Sequence, residues 1–341
     1  MGWRSWLQAT AGAALAATII VWGLPQVTGS TWTGTAQALS RVSVLEGLGM
    51  LALLLVAMWC YTYVLTGSLP GLAHHRALIV NTAGSSVSNL LPFGGALGVG
   101  VTYAMCRSWG FTRTSIALST AVSGLWNLLA KLAMPAVGLA ALLAGGDIVR
   151  PRIAMAAGIG AALLGLLLAV VIALLASRTV ALRVGRAAAW ASELVLRVTR
   201  SHRPLHWDVV VLELREHTNA LIRRSWLVMS TGMAAYVGVY ALLFWWCLHA
   251  VGASPSLAKV FAAFTLGRLL TSVVVTPGGL GISETGAAAL LVAFGVAPGE
   301  AVAGVLLFAF YVHVLEVPIG ALGWLAWGLT RRPGPQPARA G

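Results

Sequence analysis

Charge is scarce in this chain. Only 9% of its 341 residues are Asp, Glu, Lys or Arg, against about 25% in an ordinary soluble domain. A soluble fold needs a charged surface, so this scarcity argues against one. Cysteine is nearly absent as well. Cys60, Cys106 and Cys247 stand far apart, form no CxxC pair and lie in or beside apolar runs, which excludes a disulfide framework or a thiolate metal site and leaves them as packing residues. The seven histidines show no HExxH spacing. No GxxxxGK phosphate loop is present, and in Gly-Ile-Ser-Glu-Thr-Gly at 281–286 the serine is misplaced for a nucleophile elbow. The expectation is a chain with no metal, no cofactor and no catalytic residues, hence not an enzyme.

What is abundant is apolar residue, 59% of the chain. Runs at about 7–24, 44–65, 115–144, 153–176, 226–251 and 301–329 reach or approach the roughly 20 residues that carry a helix across a bilayer. The first run follows a single Arg and resembles a signal peptide, but its small residues come too early for cleavage, so it is read as a retained span. Arginine is distributed unevenly: residues 177–225 hold nine Arg, and Arg331, Arg332 and Arg339 follow the last run. The positive-inside rule therefore places both termini and the 177–225 loop in the cytoplasm, with Arg150 and Arg152 dissenting. That loop mixes apolar residues with Arg at helical spacing over 178–200 and reads as an amphipathic surface helix. Orientation already accounts for the net charge of +13, so nucleic acid is not expected as a partner.

Two regions, 74–110 and 256–295, are apolar on average but broken by Gly, Pro and polar residues. A shift of 185 residues lays Pro92 on Pro277, Gly94 on Gly279, Gly110 on Gly295 and Gly138 on Gly323, and it superposes the flanking spans. Three spans separate the two regions, so they face opposite sides of the membrane. The expected fold is an all-α polytopic membrane protein. It has six full spans plus two re-entrant, broken-helix segments, arranged as an inverted-topology repeat. Residues 1–341 form one integral membrane domain, with repeats at about 7–144 and 153–329. Paired broken segments point to a transport site at the midplane. Pro92, Gly94, Gly95, Pro277, Gly278, Gly279 and Gly281 would then shape its backbone, and helix starts there would offer N–H groups to an anion. Close helix packing is the alternative use of these glycines.

Charges inside a membrane are costly and need a reason. Lys131 and Glu316 coincide under the shift, so they are expected to approach each other, as a fixed ion pair or as one that opens with substrate. Arg268 suits a lipid phosphate or the neutralisation of Glu284. Glu284 in turn suits a cationic headgroup, a coupling proton or a helix cap. Asn81, Asn89, Asn127 and His313 fit interhelical hydrogen bonds as readily as ligand contacts.

The stretches "SNLLPFGGALGVGVTYAMCRSWG" at 88–110 and "GRLLTSVVVTPGGLGISETG" at 267–286 resemble the membrane domain of bacterial lysylphosphatidylglycerol synthases and related flippase-like proteins. The 267–286 stretch is similar to that family's Arg followed by Pro-Gly-Gly-x-Gly-x-x-Glu, here Arg268, Pro277, Gly278, Gly279, Gly281 and Glu284. The resemblance implies movement of a lipid between leaflets, either an aminoacylated phospholipid or a polyprenyl-linked sugar, in the cell membrane. The synthases carry a large soluble domain after the membrane part, and this sequence shows none after its last span, so aminoacyl transfer is not expected. The leading expectation is thus a flippase-like transporter with anionic phospholipid or polyprenyl-linked lipid as partner. The alternatives are a non-transporting subunit of a separate synthase or glycosyltransferase, and an intramembrane lipid-modifying enzyme. Co-purification with such an enzyme would mark the first, and product formation from labelled lipid the second.

Overall fold

A computed structural model describes residues 10, 14–90, 94–144, 155, 158–159, 162–163, 165–170, 173, 177, 179–180, 182–183, 207–270 and 279–330. Among these it is helical throughout its regular structure, with no strand. Four helices are long and apolar enough to cross a membrane: α3 (Val44–Ser68), α6 (Arg113–Ala144), the Arg223–Ala250 part of α7 (Trp207–Ala250), and α10 (Pro298–Thr330). Shorter helices complete the set: α1 (Ala14–Thr28), α2 (Trp32–Leu39), α4 (His74–Leu90), α5 (Gly94–Ser108), α8 (Leu257–Leu270) and α9 (Ile282–Ala293). This is a helical, multi-pass membrane protein.

Sequence signals set the element boundaries. Ser43 and Glu46 close a capping box on α3: the serine hydroxyl accepts from the Glu46 N–H, and the Glu46 carboxylate accepts from the Ser43 N–H. Pro298 opens α10, where a missing N–H costs nothing. Both α1 and α10 contain a wide π turn, Ile19–Gly23 and Phe310–Leu315. Each turn ends shortly before a proline, Pro25 and Pro318. A proline ring crowds the carbonyl four residues back and cannot donate to it, and a local widening relieves the clash.

One expectation changes. The basic 177–225 region is not a loop to its end: from Trp207 it belongs to a single 44-residue helix that runs on into the membrane segment. The 207–225 sequence contains no Gly or Pro to stop a helix, so the span's helix extends outward through it. The amphipathic 178–200 segment and the 153–176 span lie largely outside the described residues. Over the first expected span, 7–24, the structure describes the shorter apolar helix α1 at 14–28, with residues 7–9 and 11–13 outside the described residues.

The two broken regions are helical hairpins. In the first, α4 packs on α5; in the second, α8 packs on α9. At 1.5 Å per residue these arms are about 18–26 Å long, short of a bilayer's ~30 Å hydrocarbon core. The hairpins end alike. Phe111 N–H donates to Cys106 O and Gly110 N–H to Arg107 O; Val296 N–H donates to Leu291 O and Gly295 N–H to Val292 O. Gly110 and Gly295 both sit at φ 93°, the left-handed conformation that closes this type of C-cap. Each pair of equivalent atoms is separated by the same 185 residues found in the sequence. In the first arms the offset becomes 183, and the contacts still correspond. Gly84 faces Gly98 and Thr102, while Gly267 faces Ser283 and Ala287.

The halves exchange partners. The hairpin helix α4 packs against the C-terminal part of α10, and α8 packs against α6. At these crossings Gly323 faces Thr82 and Ile79, and Gly138 faces Thr265 and Ala262, so close that an added methyl would overlap the threonine hydroxyl in both cases. The helices α3 and α7 share the most extensive interface and join the halves at the centre.

Candidate functional site

Between the halves lies a cavity of about 760 Å³, within the range of small-molecule sites. Both hairpins reach it at their breaks, the first through Gly94 and Gly95 and the second through Gly279. Arg268, Lys131, Glu316 and Asn89 line it as well. The backbone of α5 starts at the cavity wall, where its first N–H groups have no helical partner. Pro92, Pro277 and Gly278 lie outside the described residues.

Glu316 is 6% exposed and fully engaged. The Tyr240 hydroxyl donates to Oε1 at 2.7 Å, and Asn89 Nδ2 donates to Oε2 at 3.1 Å. Asn89 Nδ2 also donates to the Val312 carbonyl at 3.1 Å, which orients the amide. Buried carboxylates need such donors to offset lost hydration. Lys131 and Glu316 line the same cavity, but no ion pair joins them among the described residues: Tyr240 and Asn89 hold the two carboxylate oxygens. The Arg268 guanidinium stacks over the Tyr240 ring at 5.4 Å, a cation–π contact that sets its charge beside the cavity.

Glu284 is also 6% exposed, but it stands behind the cavity wall. Its Oε2 accepts from the Gly281 N–H at 2.6 Å, capping α9, and its Oε1 lies 2.9 Å from Ser283 Oγ. The cap is one of the roles read from the sequence. Across the helix interface, His313 Nε2 approaches Glu284 Oε1 at 3.6 Å, and His313 Nδ1 lies 3.4 Å from Asn89 Oδ1. Gly281 itself packs on Ile19 of α1 rather than on the cavity.

Sequence reasoning passed over three tyrosines. Tyr61 on α3 and Tyr236 and Tyr240 on α7 line the cavity and meet in series, the first pair tilted and the second edge-on, with ring centroids 5.1 and 4.8 Å apart. The spacing of Tyr236 and Tyr240, four residues, puts both on one helix face; that was the available signal. Asn127 donates to the Tyr61 hydroxyl, which extends the polar wall toward Lys131. No cluster of three or more metal-ligating side chains occurs among the described residues.

A helical membrane protein with two broken hairpins opening on a polar cavity is thus the class defined by fold and site. Residues 9–320 match the lysylphosphatidylglycerol synthase TM region, and the chain belongs to that family. The matched region is the membrane part of those synthases and not their catalytic part. Comparison with curated proteins finds no match.

Proposed function

We propose that the chain is a non-enzymatic lipid translocator of the cell membrane. In this reading a phospholipid or polyprenyl-linked headgroup crosses through the 760 Å³ cavity while its acyl chains stay in the bilayer. One observation carries it: both hairpin breaks and the charged groups Lys131, Arg268 and Glu316 meet at a single cavity. Irregular backbone at membrane depth is tolerable where it borders such a space. Two cations and the N-terminus of α5 suit a phosphate, because an Arg fork and the N–H groups of a helix's first turn each donate to its oxygens. The same reading takes the hairpins as re-entrant, the halves as an inverted repeat around six crossings, and both termini as cytoplasmic. The shared caps of Gly110 and Gly295 and the exchanged contacts of Gly138 and Gly323 support the repeat.

The test is a leaflet-exchange assay in liposomes holding fluorescent phosphatidylglycerol, lysylphosphatidylglycerol or a polyprenyl phosphate, with an impermeant quencher outside. Wild type is expected to expose the inner-leaflet probe, and Lys131→Ala and Glu316→Gln to slow that exposure. Full protection of the inner leaflet with all three lipids, with and without a proton gradient, would overturn the proposal.

A further inference from the structure

A second, much smaller space lies behind the headgroup cavity. Its volume is about 30 Å³, room for about one water molecule. Ser283, Glu284, Arg268 and His313 form its polar wall, and the rest is apolar, with Phe244 and Phe308 among it. Arg268, Val312 and His313 line both spaces and so make up the partition between them. His313 sits on the π turn of α10, a local widening that recurs at functional sites.

The hydrogen bonds fix which atoms carry protons. Asn89 Nδ2 faces two acceptors, Val312 O and Glu316 Oε2, so its Oδ1 is the atom turned to His313 Nδ1. An amide oxygen only accepts, which makes Nδ1 the donor. A neutral His313 then presents the bare lone pair of Nε2 to Glu284 Oε1. That carboxylate receives Gly281 N–H on Oε2 and has Ser283 Oγ beside Oε1, an environment built for the ionised form. Lone pair facing carboxylate is repulsive, and one added proton on Nε2 turns it into an attraction.

From this arrangement we infer that His313 and Glu284 form a proton-binding site coupled to occupancy of the headgroup cavity by an anionic lipid. The inference rests on the headgroup reading of that cavity and names its coupling ion. The groups facing His313 are Glu284 from α9, Arg268 from α8, Glu316 on its own helix, Tyr236 and Tyr240 from α7, Tyr61 from α3 and, across the cavity, Lys131 from α6. The hairpin helix α4 presents the neutral Asn89. With His313 neutral, two cations balance two carboxylates. A phosphodiester entering that cavity brings an uncompensated negative charge, which is costly at membrane depth. A proton taken from water onto Nε2 restores balance, so lipid and proton load together, one for one. Asn89 passes the change on, since it bonds both His313 and the Glu316 carboxylate on the cavity wall.

Titration calorimetry of phosphatidylglycerol into the purified, detergent-solubilised chain tests this. Repeating it in buffers of different ionisation enthalpy counts the protons taken up. Wild type is expected to take up one proton per phosphatidylglycerol and none with zwitterionic phosphatidylcholine; His313→Gln is expected to take up none. Nitrogen NMR of the labelled histidine rings in wild type needs no variant and is expected to show one imidazole becoming doubly protonated when phosphatidylglycerol binds. Phosphatidylglycerol binding with no proton uptake, or uptake that persists in a folded His313→Gln, would overturn the coupling and leave the translocation reading standing. No phosphatidylglycerol binding would overturn the coupling, and no binding of phosphatidylglycerol, lysylphosphatidylglycerol or a polyprenyl phosphate would overturn the translocation reading as well.

Discussion

Glu316 shows what a single buried charge requires. Both its oxygens are taken, by a phenol on α7 and an amide on α4, so three helices converge on one carboxylate. Tyr240→Phe keeps the ring under Arg268 and removes only the hydroxyl. Leaving the carboxylate short of a donor should cost about 1–3 kcal/mol, read as a lower midpoint of thermal unfolding in detergent; an unchanged midpoint would show that water replaces the bond. Arg268 is the complementary case. Arg268→Lys preserves the charge but loses the planar fork and the stacking on Tyr240. Affinity for phosphatidylglycerol should fall about tenfold, the equivalent of one charge-assisted hydrogen bond, with folding intact. Equal affinity would mean that charge alone acts there.

At the scale of elements, breaks and caps place these side chains. The π turn of α10 owes its position to Pro318, and it carries His313 toward Glu284. Pro318→Ala allows an unbroken α-helix, which should leave thermal stability equal or higher. The register of residues 310–315 would then change, and lipid exchange in liposomes should drop. Exchange at the wild-type rate would remove the π turn from the mechanism. Gly295 offers a cleaner measure of backbone cost. It lies at φ 93° with open space where a methyl would go, so Gly295→Ala meets no neighbour and should cost about 1–2 kcal/mol for the left-handed conformation alone.

Across the whole molecule, the halves are locked by exchanged contacts. Gly138 meets Thr265 and Gly323 meets Thr82, so each half contributes a long helix to the other's hairpin. Valine at either position overfills the crossing, and the two variants should be destabilised alike, by about 1–3 kcal/mol; a marked difference between them would argue against a symmetric arrangement. The proposed inverted topology has its own test. In a cysteine-free background, His75→Cys and Ser256→Cys sit at exposed starts of α4 and α8. An impermeant thiol reagent should label the second from outside the cell and the first only after permeabilisation. Labelling of both from one side would replace the inverted repeat by a parallel one.

Much of this was legible in the chain itself. Low charge and long apolar runs determined a membrane protein, because a bilayer's thickness and polarity act on any segment regardless of its neighbours. A 185-residue correspondence was also readable, since Pro fixes and Gly frees the backbone locally, and Gly110 and Gly295 cap their helices in the same way. Partner choice was not readable. Symmetry paired Lys131 with Glu316, whereas Tyr240 and Asn89, 76 and 227 residues away, hold that carboxylate. Glu284 displayed its helix cap in sequence, but its meeting with His313 and the wall between the two cavities arise only when α8, α9 and α10 pack. Composition and backbone restriction are properties of short stretches. Which buried donor reaches which buried acceptor depends on helix rotation and crossing to within an ångström or so, and only the packed structure decides that.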